Sequence, residues 1–107
     1  MNITLKDIQQ YIVDNIQFEV NSESSDPPKA TIKVTVPGVF SVKGFMLKES
    51  KFEHKKLGDF VWIQPTSVRK ADGKFMEVFW FEDKKLWDIV ERKIYDAFLK
   101  VTNKNNE

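Results

Sequence analysis

The sequence predicts an α+β domain: an antiparallel sheet of about five strands, a meander, packed against a C-terminal α-helix, with a short N-terminal helix in front. Three features predict it. Apolar residues recur at helical spacing only near the two ends of the chain, and between those ends they alternate at a period of two. Pro-Gly and Asp-Gly pairs fall between the alternating runs, where hairpin turns need them. A single helix against a run of hairpin-connected strands must then cover one sheet face.

Each element has its own signal. Thr4 followed by Asp7 has the form of a helix N-cap, and Leu5, Ile8, Tyr11 and Ile12 then follow at helical spacing, predicting a helix over 5–14. From Ile16 the period changes, and Ile16, Phe18 and Val20 alternate with Gln17 and Glu19 as on a half-buried strand. Residues 21–28 form a polar loop, where Pro27 and Pro28 have no amide to give a ladder. Ile32, Val34 and Val36 oppose Thr31, Lys33 and Thr35 on a second strand. The Pro37-Gly38 turn leads into a third strand within 39–47, so these two form a hairpin.

Residues 48–58 are charged and follow neither period, which predicts an exposed loop. Phe60-Val61-Trp62-Ile63 is a fourth strand, ended by Pro65. Ala71-Asp72-Gly73 supplies a hairpin turn, because glycine accepts the positive φ required there. Residues 75–81 form the fifth strand. Asp83 caps a last helix whose stripe runs Leu86, Ile89, Val90, Ile94, Ala97, Phe98 and Val101. Residues 102–107 are expected to be a flexible tail. One domain over 1–107, with its core within 16–100, suits a length at which a single core closes.

Composition narrows the function. At 41% apolar and 13% aromatic, the 107 residues can bury a core. There is no cysteine and one histidine, which excludes thiol chemistry, disulfides and every motif that needs two imidazoles. No apolar run approaches the roughly 20 residues of a bilayer span, and no signal-peptide pattern opens the chain, so a soluble, cytoplasmic protein is expected. The 17 basic and 16 acidic side chains are unevenly placed. Residues 1–28 carry one basic against five acidic groups, while residues 43–75 carry eight against four. A positive pole in the middle of the chain can attract a polyanion.

Catalysis finds no support. His54 lies among Glu53, Lys55 and Lys56 with no apolar wall, the setting of a plain surface histidine. No nucleophile elbow, phosphate-cradling glycine loop or zinc-binding helix motif is present, so no enzyme, cofactor, metal or small-molecule substrate is expected. Nucleic acid is the better candidate. Lys48, Lys51, Lys55, Lys56, Arg69, Lys70 and Lys74 flank the fourth strand, and Arg69 brings planar donors suited to phosphate. Alternation places Phe60, Trp62 and Gln64 on one face of the fourth strand and Val61 and Ile63 on the other. It likewise sets Phe75, Glu77, Phe79 and Phe81 opposite Met76, Val78 and Trp80. One C-terminal helix covers only one face, leaving Trp62, Phe79 or Trp80 to stack on a base or to build an interface. The ordinary alternative is that these rings pack under the N-terminal helix or in a dimer.

The run from Phe60 to Phe75 resembles the signature of the stage V sporulation protein G (SpoVG) family of septation regulators, an apolar strand followed by Met-Pro-Ser-Lys-Arg-x-x-Asp-Gly-x-Phe. Pro65, Ser67, Arg69, Asp72, Gly73 and Phe75 match it, with one extra residue after the proline. The strands at 30–36 and 40–43 and the helix at 89–98 are similar to that family's preceding pair and closing helix. Val68 replaces a family lysine, with Lys70 following, and Glu77-Val78-Phe79-Trp80-Phe81 replaces an Asp-Ile-x-His-Pro segment. The resemblance implies a non-enzymatic α+β regulator of septation or sporulation that dimerises through its sheet strands and binds DNA or RNA. Ser67, Arg69, Lys70 and Lys74 would then belong to the nucleic-acid site. The alternative is a protein–protein interaction module that docks a partner on an open sheet edge or on an exposed aromatic face.

Overall fold

Thr4 starts the first helix by exchanging hydrogen bonds with Asp7: its hydroxyl accepts the Asp7 amide at 3.2 Å, and its own amide donates to the Asp7 carboxylate at 2.9 Å. Two otherwise orphaned amides are satisfied, so α1 runs Leu5–Asn15 from a capping box. The computed structural model describes residues 2–22 and 29–105, the last three as backbone only. The Tyr11 hydroxyl donates to the Pro37 carbonyl at 2.8 Å, tying α1 to a turn of the sheet. Ile12 and Val13 pack against the core from this helix, while Ile3, Leu5 and Ile8 stay exposed.

Four antiparallel strands follow in chain order: β1 (Gln17–Asn21), β2 (Ala30–Val36), β3 (Phe40–His54) and β4 (Asp59–Gln64). The period-two pattern sends Ala30, Ile32, Val34, Val36, Phe45, Leu47, Val61 and Ile63 to one buried face. The C-terminal helix α2 (Lys84–Asn105) lays Leu86, Val90, Ile94, Tyr95 and Phe98 into the same core. Asp83 caps this helix as expected, its carboxylate accepting the Leu86 amide at 2.9 Å. The other face of the sheet leaves Phe60 and Trp62 exposed.

Beyond Pro65 the chain leaves this sheet. Strands β5 (Ser67–Arg69) and β6 (Phe75–Glu77) pair only with each other, around a turn in which the Lys70 amide bonds the Lys74 carbonyl at 2.7 Å and Gly73 adopts φ +85°. The sheet and the hairpin meet at Gly44. The β2–β3 register shifts between Ile32 and Val34, Gly44 takes φ +99°, and the Thr66 hydroxyl donates to the Lys43 carbonyl at 2.7 Å. Such a bulge re-aims a strand.

The α+β class is observed, and several of its expected details change. Residues 48–54 are strand rather than loop, and only 55–58 turn. Lys48 faces Trp62, Glu49 faces Val61 and His54 faces Asp59 across the β3–β4 ladder, so backbone pairing holds a segment whose side chains are mostly charged. The fifth strand forms, but it pairs with β5 and stops at Glu77. There the Val78 amide bonds the Thr66 carbonyl at 2.9 Å, and Phe79 and Phe81 then pack against the core. The expected tail at 102–105 continues α2, and the Thr102 hydroxyl donates to the Phe98 carbonyl at 3.0 Å. Pro27, Pro28 and the last two residues of that tail lie outside the described residues. No helix among the described residues is long and apolar enough to cross a membrane.

Candidate nucleic-acid interface

Two cross-strand pairs build the site. Lys48 stands opposite Trp62 in the β3–β4 ladder, and Arg69 stands opposite Phe75 in the β5–β6 hairpin. Residues directly opposite on antiparallel strands have touching side chains. The Lys48 ammonium accordingly lies 5.4 Å from the centre of the Trp62 ring, and the Arg69 guanidinium 5.5 Å from that of Phe75. One further contact joins the two sheets: the same Lys48 ammonium is 4.9 Å from the centre of the Phe75 ring. Two rings and two cations thus form one cluster, with Trp62 41% and Phe75 51% exposed. The negative ring faces hold the cations in place, as cation–π attraction requires.

The charges of this cluster are available. Among the described residues Lys48 and Arg69 make no ion pair, whereas Lys29, Lys56, Lys70 and Arg92 each meet a carboxylate. A cation balanced only by a π face keeps its full attraction for an incoming anion.

The other expected site residues divide. Lys70 reaches the Asp72 carboxylate at 3.8 Å at the hairpin tip, and Lys74 is exposed beside it. Ser67 is half-buried and donates its only hydroxyl proton to the Pro65 carbonyl at 2.8 Å, so it has none for a phosphate. Lys51 is exposed on β3 and Lys55 on the following turn. Lys56 is bonded to Asp88 on α2.

Beside Lys56, His54 is not a plain surface histidine. Its side chain is 19% exposed, its Nε2 lies 3.1 Å from the Glu91 carboxylate, and its Nδ1 accepts the Leu57 amide at 3.2 Å. These two contacts hold the imidazole between the turn and Glu91 on α2. The β3–β4 turn is therefore docked on α2, and the cations at 55–56 belong to that junction rather than to the Lys48–Arg69 cluster.

The aromatic candidates divide as well. Trp62 is open, but Phe79 is half-buried in a ring cluster, 5.5 Å from Phe40, 5.9 Å from Phe45 and 5.6 Å from Phe81. Trp80, between Phe79 and Phe81 in sequence, points outward and is 57% exposed. Among the described residues it makes no ring contact with Trp62 or Phe75. Phe75 itself is the residue that sequence reasoning missed as a ring of the site. Its signal was present, since a hairpin centred on Asp72-Gly73 sets it opposite Arg69. No group of three or more His, Asp or Glu side chains among the described residues could hold a metal ion.

The chain matches no family model, no curated protein and no solved structure at a significant level.

Proposed function

We propose that this protein is a non-enzymatic, cytoplasmic nucleic-acid-binding regulator that holds DNA or RNA on the sheet face carrying Lys48, Trp62, Phe75 and Arg69. The carrying observation is that two cations free of carboxylates converge on two exposed rings. Phosphate attracts the cations, and the rings offer surfaces to bases. Lys70 and Lys74 at the hairpin tip extend the positive charge along the strand path. The resemblance of the Phe60–Phe75 run to the SpoVG septation regulators supports the same reading and suggests a homodimer. The two edge strands, β1 and β4, provide places for a second copy to pair.

The test is fluorescence anisotropy with labelled oligonucleotides from low to physiological salt, comparing the native chain with Arg69→Ala/Lys70→Ala. Binding that falls steeply with salt and is weakened by the double substitution is expected. Absence of binding at low salt would discard the proposal.

A second reading rests on the hairpin's other residues. Val68 and Met76 are a cross-strand pair, both about half exposed, and Val78 and Trp80 continue the apolar surface. A protein partner docked there would bind with little response to salt, and Trp80→Ala would weaken it while Arg69→Ala would not.

A further inference from the structure

Resting on the nucleic-acid reading, we infer that the Lys48 cluster is a closed stacking platform specific for unpaired bases: Lys48 occupies the space between Trp62 and Phe75 until a phosphate draws it away, and a base of a single strand then takes its place. Three features lead there. Lys48 lies over both rings at once, at 5.4 and 4.9 Å, so one side chain covers two stacking surfaces on two different sheets. Arg69 adds a second cation over the Phe75 ring at 5.5 Å. Neither cation is tied to a carboxylate among the described residues, so both can swing on flexible stems to a phosphate without breaking an ion pair.

Charge complementarity selects the occupant. A purely apolar partner would have to displace two cations from the rings and leave them unmatched. A nucleic-acid strand supplies phosphates for the cations and flat π-faces for the vacated rings in one molecule. Strand state follows from geometry. In a duplex the base faces are covered by their neighbours, so Trp62 and Phe75 could meet only the edges, whereas unpaired bases present their faces. The platform therefore binds single strands and tolerates sequence, because every base has a π-face.

The exchange has an optical readout. In a Trp80→Phe/Trp87→Phe background, Trp62 is the only indole, and its emission reports stacking directly. Oligothymidylate and oligouridylate are expected to quench it and to bind roughly tenfold more tightly than a duplex of equal length. Phe75→Thr in that background, or Trp62→Thr in the native chain followed by anisotropy, should weaken single-strand binding about tenfold. Threonine keeps strand propensity at both positions. Circular dichroism of each variant establishes that the fold is kept. Lys48→Met should lower the salt slope by about 0.7 while Trp62 quenching persists.

Equal, salt-sensitive binding of duplex and single strand with unchanged Trp62 emission would overturn the platform and leave the nucleic-acid reading intact. Absence of salt-sensitive binding to any oligonucleotide would overturn both.

Discussion

The Tyr95 hydroxyl on α2 donates to the Asp59 carboxylate at the start of β4, 2.7 Å away. This bond fastens the turn end of the β3–β4 ribbon to the helix, next to the His54–Glu91 pair. The Tyr95 hydroxyl, followed by the Phe60 amide at 2.7 Å, holds the Asp59 carboxyl below the ordinary carboxylate range. The same bond, with burial, raises the Tyr95 phenol above its usual value.

Stability should respond at both ends of the pH scale. Asp59 gives up its proton more readily folded than unfolded, so its contribution is complete above the unfolded value of about 4 and is lost as pH falls through the lower folded value. Tyr95 holds its proton more tightly folded, so its contribution is complete below about pH 10 and fades as pH rises through the higher folded value. Tyr95→Phe keeps the ring and removes the bond. It should cost about 1 kcal/mol at neutral pH and flatten both limbs, measured by urea unfolding across the pH range. Unaltered acid and alkaline limbs in the variant would show that the bond does not set them.

Gly44 sets how the hairpin meets the sheet. Its φ of +99° disfavours any L side chain, and an added Cβ would sit 3.2 Å from the Thr66 Cγ2. Gly44→Ala should destabilise by roughly 1–3 kcal/mol in denaturant unfolding. Adding Thr66→Ala removes the close contact but not the strained φ, and it deletes the bond to the Lys43 carbonyl, so the double variant should not recover. Full recovery would mean that crowding alone, not backbone conformation, reserves the position for glycine.

Glu91 is 7% exposed, and the His54 Nε2 lies 3.1 Å from its carboxylate. His54→Ala leaves a mostly buried carboxylate without its imidazole partner, while the Leu57 amide keeps the backbone carbonyl of residue 54, 3.1 Å away, as its acceptor; the change should cost about 1–3 kcal/mol. Glu91→Ala alone and the double variant complete a cycle in thermal or denaturant unfolding. A coupling energy near zero would show that the pair does not hold the turn against α2.

What was legible in the sequence was whatever a period or a cap announces locally. Thr4 with Asp7, the alternation of Ile32, Val34 and Val36, the split of Val61 and Ile63 from Trp62, and the Asp83 cap all rest on neighbours within a few residues. The strand at 48–54 was hidden because its stability comes from the ladder to β4, which charged side chains do not advertise. Phe79 and Trp80 show the other limit. Alternation puts them on opposite faces, but only the turn after Glu77 decides that Phe79 joins Phe40 and Phe45 while Trp80 faces outward. The candidate site was half legible for the same reason. Lys48, Trp62 and Arg69 were in view as residue types, yet their convergence on Phe75 needs the separate hairpin to come beside β3.

That convergence separates lysines that the sequence treats alike. Lys48 and Lys56 are eight positions apart and equally cationic, but Lys48 lies over Trp62 and Phe75 while Lys56 is bonded to Asp88 on α2. If nucleic acid follows the aromatic face, Lys48→Ala and Arg69→Ala should each lower affinity and reduce the salt slope by about 0.7 on a single strand. Lys56→Ala should leave affinity and slope unchanged and cost at most about 1 kcal/mol of stability, the scale of an exposed ion pair. Anisotropy titrations over a range of salt concentrations compare the three directly. Equal losses from all three would mean that the positive segment acts as a diffuse charge. A loss from Lys56→Ala alone would move the binding surface to the junction between the β3–β4 turn and α2.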